Sequence, residues 1–351
     1  MDLPQFHQAV VLKERGNGIQ FEVIELPLPE LGPADVLIKR SVTGLCGTDF
    51  ALASGALGET RRILGHEGIG RIVKLGSLLD ESQAKIGQRV GVSWVRDVCG
   101  SCAFCLHDGG EAHCVKQIHS GRKVDGTLAG FTVVPSTYII KLPEGPSDQI
   151  LAPIMCAGVT AYKALKICNA TPGSWVVLVG AGGGVGSLGI QYAREMGYRV
   201  IAVDAGSNRK EFCLSLGANA YVDIEQEGDV PAVVRKLTDK QGARAAIVCA
   251  GSSSAYQDAL QMVAPFGTLV CVGITPVSQQ IQFHPLTLID NGIRIVGSMV
   301  GTRGDVLEAV EFVRRGQVFP SVQMVSLAEV TDVAKLQALN KINAKLVVSL
   351  W

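Results

Sequence analysis

Trp175-Val-Val-Leu-Val179-Gly180-Ala-Gly182-Gly183-Gly184-Val185-Gly186 is a continuous apolar run that breaks into a cluster of glycines. The run suits a strand buried on both faces. After it, Val185, Leu188, Tyr192, Ala193 and Met196 recur at helical spacing, and Gly197 is placed to end that helix. Arg199 to Val203 then reads as a second strand, closed by Asp204. Strand, glycine turn, helix and strand together form a cradle for a pyrophosphate, because backbone without Cβ atoms lets the phosphates approach the free N–H groups of the helix start. The glycines fit G-x-G-x-x-x-G on Gly180, Gly182 and Gly186 rather than the strict dinucleotide pattern, so the flanking elements carry the reading. Asp204 follows Gly186 by 18 positions and is placed to accept hydrogen bonds from ribose hydroxyls and to repel a 2′-phosphate. NAD is therefore favoured over NADP, while Arg209 and Lys210 just downstream leave NADP open.

Outward from this unit the alternation continues through Phe212–Leu216, Ala220–Val222, Val230–Leu237, Ala245–Cys249, Tyr256–Val263 and Leu269–Val272. That rhythm predicts βα units on a doubly wound parallel sheet. Upstream, from Ala9 to about Pro143, the texture is short and β-like: Val36-Leu37-Ile38, Ile69 to Leu75, Arg89 to Val95 and Val133 to Ile140, punctuated by Gly and Pro. The last fifty residues, from about Ile295, leave the βα rhythm and are expected to return to the first domain.

Composition narrows the class. With 351 residues, 47% of them hydrophobic, the chain has material for about two domains with packed cores. Thirty-two basic side chains balance 32 acidic ones, which leaves no field for gathering nucleic acid or an anionic membrane. The most apolar stretch, Trp175 to Ala193, holds six glycines and does not read as a membrane span. Neither end carries a targeting pattern, and ten cysteines in so long a chain suit metal binding or reduced thiols, so a cytoplasmic enzyme is expected.

Cys99-Gly-Ser-Cys102-Ala-Phe-Cys105, followed by Cys114, is the most specific local signal. Four thiolates satisfy tetrahedral zinc and leave no position for a substrate, so this site reads as structural. His107 and His113 lie within its loop, as solvated residues or as a replacement for Cys114. A second set is dispersed: Cys46 in Gly44-Leu-Cys46-Gly-Thr48-Asp49, His66 in Gly65-His66-Glu67-Gly, and Cys156 in Met155-Cys156-Ala-Gly158. Two thiolates and one neutral imidazole leave zinc formally neutral with an open position, able to polarise an alcohol or carbonyl oxygen. Asp49 and Glu67 are expected to orient His66 or the metal.

These motifs, in this order and across almost the whole chain, resemble the zinc-containing medium-chain alcohol dehydrogenases. Leu151-Ala-Pro-Ile-Met-Cys156-Ala-Gly-Val-Thr-Ala-Tyr-Lys163 and the Gly180 loop are especially similar to the microbial and fungal branch. The resemblance implies a GroES-like, mostly β catalytic domain over 1–155 with a zinc lobe near 95–118, a Rossmann domain over 156–294, and a return at 295–351. It implies reversible hydride transfer between an alcohol and NAD, with two zinc ions per chain. Cys46, His66 and Cys156, with Glu67, would serve the catalytic zinc, and Cys99, Cys102, Cys105 and Cys114 the structural one. Thr48 would hydrogen-bond the substrate oxygen and pass its proton outward. Gly180, Gly182, Gly183, Gly184, Val185, Gly186, Asp204, Arg209, Val272 and Lys345 would bind the cofactor, Lys345 at its pyrophosphate. Phe50, Leu57 and Trp94 would line the substrate pocket. Homodimers or homotetramers are implied, joined through a strand at about Ile293 to Val300.

Three positions depart from the family. Ala51 stands where many relatives continue the proton relay with a histidine, Gly47 where a basic residue often meets the pyrophosphate, and the loop from Cys105 to Cys114 is one residue longer than usual. Leu57 replaces the tryptophan of ethanol-specific relatives, which predicts a primary alcohol larger than ethanol. Two other readings stand beside this one: an NADPH-dependent carbonyl or enone reductase, which a cofactor comparison would separate, and a non-catalytic cofactor-binding protein, which would hold fewer zinc ions.

Overall fold

The computed structural model describes residues 3–338 and 344–351, which fall into two compact units. One comprises residues up to Cys156, Thr302–Arg314 and from Pro320 onward; the other comprises Ala157–Gly301 and Arg315–Phe319. The return to the first unit thus begins at Thr302 and not at 295, because Arg294–Gly297 pairs with Val263–Cys271 as the edge strand of the second unit's sheet. Cys156 belongs to the first unit.

The second unit is a parallel sheet in the order Ala220–Asp223, Arg199–Asp204, Trp175–Val179, Ala243–Val248, Val263–Cys271, Arg294–Gly297. Numbered along the chain, that order is 3-2-1-4-5-6, the doubly wound arrangement whose ligand crevice opens at the carboxyl ends of the first and fourth strands. Val176, Val177, Val200 and Ile201 are wholly buried, as continuous apolar strands between helices must be. Gly180 adopts φ +80° directly after the first strand, where a Cβ would also lie 3.0 Å from the Ala250 nitrogen. At Gly186 a Cβ would sit 2.3 Å from the Gly180 oxygen, so only glycine lets the helix Gly184–Glu195 start this close to the strand. The helix ends as expected, with Gly197 at φ +81° and its N–H donated to the Arg194 carbonyl.

The first unit is built on a sheet in the order Val322–Val325, Lys345–Ser349, Asp35–Leu45, Glu67–Leu75, Arg89–Val92, Ile140–Lys141, with Phe131–Pro135 also paired to Asp35–Leu45. The run Val133 to Ile140 is not one strand: it is interrupted by the 3-10 turn Ser136–Tyr138. Registers matter here. Gly44 lies opposite Glu67 on one side, and Leu45 opposite Leu346 on the other, so three strands bring Cys46, Glu67 and Lys345 to one end of the sheet. Beneath it, Leu45, Phe50, Leu52, Leu64, Leu128, Val330 and Leu346 form one core. Among the described residues no single helix is long and apolar enough to cross a membrane.

Candidate metal centres and active site

Cys46 caps the helix Gly47–Ser54, and Asp49 in its first turn accepts the Cys46 N–H at 3.0 Å. The other oxygen of Asp49 accepts the Gly65 N–H at 3.0 Å and lies 3.0 Å from His66 Nδ1. One carboxylate thereby fixes the cysteine, the loop and the imidazole, and turns His66 Nε2 toward Cys156 Sγ at 3.3 Å. Cys46 Sγ and Cys156 Sγ are 3.8 Å apart. Tetrahedral zinc with bonds of about 2.3 Å to sulfur and about 2.0 Å to nitrogen requires separations of about 3.8 and 3.5 Å. The donor set therefore fits zinc, and a Glu67 carboxylate oxygen completes a group whose atoms all lie within 4.8 Å of one another.

Protonation in this site points the same way. The Cys156 hydrogen bond holds the Cys46 thiol well below its ordinary value, against burial and helped by the nearby Lys345 ammonium. The same bond, with burial, pushes Cys156 well above. Burial drives Glu67 up to about 7 even though Lys345 pulls it down. Burial opposes charge on His66, but the Asp49 carboxylate and the Cys46 thiolate together outweigh it and raise the ring. A cation entering such a cluster replaces the shared thiol proton and relieves crowded negative charge.

The second cluster is local. Cys99, Cys102, Cys105 and Cys114 have sulfur separations of 3.6 Å (Cys99–Cys114 and Cys102–Cys105), 3.9 Å (Cys102–Cys114) and 4.0 Å (Cys99–Cys105). These match the zinc tetrahedron of about 3.8 Å. Backbone N–H groups of Cys99 and Lys116 each point at Cys114 Sγ at 3.3 Å. Backbone donors from Ser101 and Cys102 bring Cys99 down to about 6. His107 is turned to the Asp108 carbonyl, and neither it nor His113 joins the cluster. Within the loop between Cys105 and Cys114, Glu111 accepts the Arg303 N–H at 2.7 Å.

Thr48 stands partly exposed one residue beyond the start of the helix that Cys46 caps, with Gly47 and Ala51 on the same helix. Trp94 is half-buried with its ring edge-on to His66 at 5.3 Å, and its face stacks on His119 at 4.6 Å. His119 carried no usable sequence pattern; it is buried, both ring nitrogens lack a hydrogen-bond partner among the described residues, and burial takes it down to about 4. Phe50 is 9% exposed and packs in the core with Leu52 and Leu64, and Leu57 is half-buried against the same core. One expectation is corrected. Lys345 does not present its ammonium to a pyrophosphate: it is buried, donating to Glu67 Oε1 at 2.7 Å and the Leu45 carbonyl at 3.1 Å. The return strand's register draws it under the metal centre.

In the second unit, Gly183 caps the helix Gly184–Glu195 without a side-chain partner, and the N–H groups of Gly184, Val185 and Gly186 are those that the helix itself cannot satisfy. Asp204, 7% exposed, accepts from the Gly182 N–H at 2.7 Å through one oxygen and from Arg209 Nη1 at 2.7 Å through the other. Val272 follows the fifth strand at the carboxyl edge, its N–H on the Val248 carbonyl at 3.2 Å.

Comparison with known proteins agrees with this architecture. An alcohol dehydrogenase GroES-like domain matches residues 32–144, and a zinc-binding dehydrogenase domain matches residues 184–315. Alcohol dehydrogenase 2 of Emericella nidulans is 37% identical over 99% of this chain and 99% of the relative. An alcohol dehydrogenase of Geobacillus stearothermophilus is 37% identical over 98% and 99%. Among solved structures, the alcohol dehydrogenase of Aeropyrum pernix superposes with a TM-score of 0.85 at 27% identity, covering 97% of this chain and 99% of that one. Benzyl alcohol dehydrogenase from Acinetobacter calcoaceticus superposes at 0.88 with 24% identity over 99% and 100%, a likeness of fold. The chain belongs to the zinc-dependent medium-chain alcohol dehydrogenases, oxidoreductases that work with zinc and NAD(P).

Proposed function

We propose that this chain catalyses reversible hydride transfer between NAD and a primary alcohol larger than ethanol. The observation that carries the reading is the convergence of Cys46, His66 and Cys156 at zinc-like separations beside a half-buried Trp94. Bound zinc supplies a Lewis acid for the substrate oxygen, and bound nicotinamide the hydride acceptor or donor. Asp49 holds His66 in the tautomer that offers Nε2 to a metal. Thr48, on the first turn of the helix capped by Cys46, would accept the hydroxyl proton of the substrate and hand it to solvent. The indole of Trp94 gives the site an apolar wall, and Leu57, smaller than an indole, supports a pocket wider than ethanol needs. The free N–H groups of Gly184, Val185 and Gly186 suit a pyrophosphate, and Asp204 suits ribose hydroxyls.

A second reading rests on one contact. Arg209 lies on Asp204 and partly neutralises it, which would ease entry of a 2′-phosphate and favour an NADPH-driven reductase. The edge strand Arg294–Gly297, with Ile289 and Ile295 exposed on or near it, supports assembly with a second copy. Turnover of an alcohol and aldehyde series with both cofactors tests the proposal. Faster oxidation of butanol or benzyl alcohol than of ethanol with NAD is expected; fastest turnover on ethanol overturns the wide pocket, and a clear preference for NADPH overturns the cofactor reading.

A further inference from the structure

His119 is a buried polar ring that the fold does not satisfy. It is 7% exposed, and neither Nδ1 nor Nε2 has a hydrogen-bond partner among the described residues. One face of the ring stacks on Trp94, with 4.6 Å between centroids and 21° between planes, and the indole in turn stands edge-on to His66 at 5.3 Å. The imidazole is therefore one ring removed from the metal centre. Its backbone is pinned: His119 lies opposite Val95 in the pairing of Val95–Asp97 with Ile118–His119, and its carbonyl accepts the Lys123 N–H at 3.0 Å. The hydroxyl next in sequence is already committed, since Ser120 Oγ donates to the Ser93 carbonyl at 2.7 Å and accepts from Arg96 Nε at 3.1 Å.

A buried polar group without a partner costs free energy that an apolar side chain of similar size would not. Burial, with Lys123 and Arg122 nearby, takes the ring down to about 4, so near neutral pH it is uncharged and carries one donor and one acceptor nitrogen. A hydroxyl both donates and accepts and so matches either nitrogen, whereas an alkyl chain matches neither. Because the imidazole flanks the indole that walls the site, a substrate lying along Trp94 brings its far end to His119. We propose that His119 is a specificity-determining residue that hydrogen-bonds a second hydroxyl of the substrate, so that the preferred class is alcohols with a second hydroxyl several bonds from the reacting carbon, such as diols and hydroxylated aromatic alcohols. The proposal rests on the reading of Cys46, His66, Cys156 and Trp94 as the site of a larger alcohol, and it narrows that class. The ring's burial then has a use: the unmet hydrogen bond penalises an apolar tail and rewards a polar one.

The test uses the full chain with its zinc and NAD, and substrate pairs that differ only at the far end. Straight-chain diols with a hydroxyl at each end, from propanediol to hexanediol, and 4-hydroxybenzyl alcohol are each compared with the alcohol that carries methyl in place of the second hydroxyl. In the wild type at least one pair is expected to favour the hydroxyl by about ten-fold or more in kcat/KM. His119→Leu should lower that ratio by at least about ten-fold, and His119→Phe, which keeps an aromatic ring on Trp94, should do the same. His119→Gln, which keeps a donor and an acceptor, should stay within about three-fold of the wild-type ratio. Each ratio is taken within one protein, so general damage to the site cancels, and a merely structural ring would leave the ratios unmoved. No pair favouring the hydroxyl in the wild type, or a ratio unchanged in His119→Leu and His119→Phe, overturns the proposal; if neither variant folds, the wild-type ratios decide. Alkanols turned over with no diol favoured would overturn the role of His119 alone, whereas ethanol outpacing every longer alcohol and diol would overturn the larger-alcohol reading and this proposal with it.

Discussion

The two cysteine clusters reach the same tetrahedral spacing by opposite routes. Cys99, Cys102, Cys105 and Cys114 fold together within a stretch of consecutive residues, their sulfurs supported by neighbouring backbone N–H groups. Cys46 and Cys156 are 110 positions apart and 3.8 Å from each other: Cys46 follows the strand Asp35–Leu45 and is held by Asp49, while Cys156 follows the 3-10 turn Ala152–Met155. The local cluster is closed by four sulfurs and suits stabilisation. The assembled one offers two sulfurs, an imidazole and a carboxylate oxygen within 4.8 Å of one another, a mixed set that suits the chemistry proposed for it. Where ligands come from therefore says as much about role as what they are.

Removing a ligand from each cluster should break the comparison most sharply. Cys46→Ala is expected to lower kcat/KM by at least about 10³-fold and to release one zinc, with little change in melting temperature. Cys102→Ser should instead lower the melting temperature by roughly 5–10 °C while the folded fraction keeps most of its turnover per active site. Equal effects on rate in both variants would erase the distinction.

The next effect concerns the support of the assembled site. Asp49→Asn keeps the size of the side chain but loses the charge that accompanies His66, and should weaken metal binding there by about 10–100-fold, measured by competition with a chelator. In the second unit, Asp204→Ala removes the carboxylate now shared by Gly182 and Arg209, and the NAD-over-NADP preference should fall by about 10-fold or more. A preference that does not move would mean that Arg209 already cancels the carboxylate.

Acid acts on the flank of the assembled site. His119 titrates near 4 in the folded protein and near 6.5 when unfolded, so the unfolded chain binds the extra proton first. Stability is full above about pH 6.5 and declines as pH falls toward 4. His119→Phe should flatten that window in denaturant titrations; an unchanged slope would show the ring to be satisfied. The smallest effect is expected at Ala51, where Ala51→His should raise alcohol oxidation near neutral pH by less than about ten-fold by continuing the proton path from Thr48. An unaltered pH–rate profile would mean that the proton leaves by another route.

Much of this was legible in the sequence wherever structure is made locally. The apolar run to Val179, the glycines that follow and Asp204 announce a strand, a turn and a second strand within thirty residues, and the 3-2-1-4-5-6 sheet follows from that unit repeated. The four-cysteine lobe is likewise written in one segment. Cys46, His66 and Cys156 became a set only through resemblance, because nothing in their separate spacings states that two strand ends and the 3-10 turn Ala152–Met155 converge. Lys345 shows the same limit from the other side. Its motif-based place at a pyrophosphate was overruled by the pairing of Leu346 with Leu45, which buries its ammonium against Glu67. The core packing of Phe50 with Leu64 and Leu128 was not legible either, since it depends on the angle at which the helix capped by Cys46 meets them. No sequence signal marked His119, whose character comes from its burial, with its ring stacked on Trp94.

The central claim is that the assembled cluster is the metal centre on which turnover depends, and the direct measurement is zinc content alongside NAD-dependent alcohol oxidation in wild type and Cys156→Ala. The account predicts two zinc ions per chain in the wild type and one in a folded, inactive variant. Two zinc ions retained in Cys156→Ala, or turnover that survives the loss of one, would contradict it.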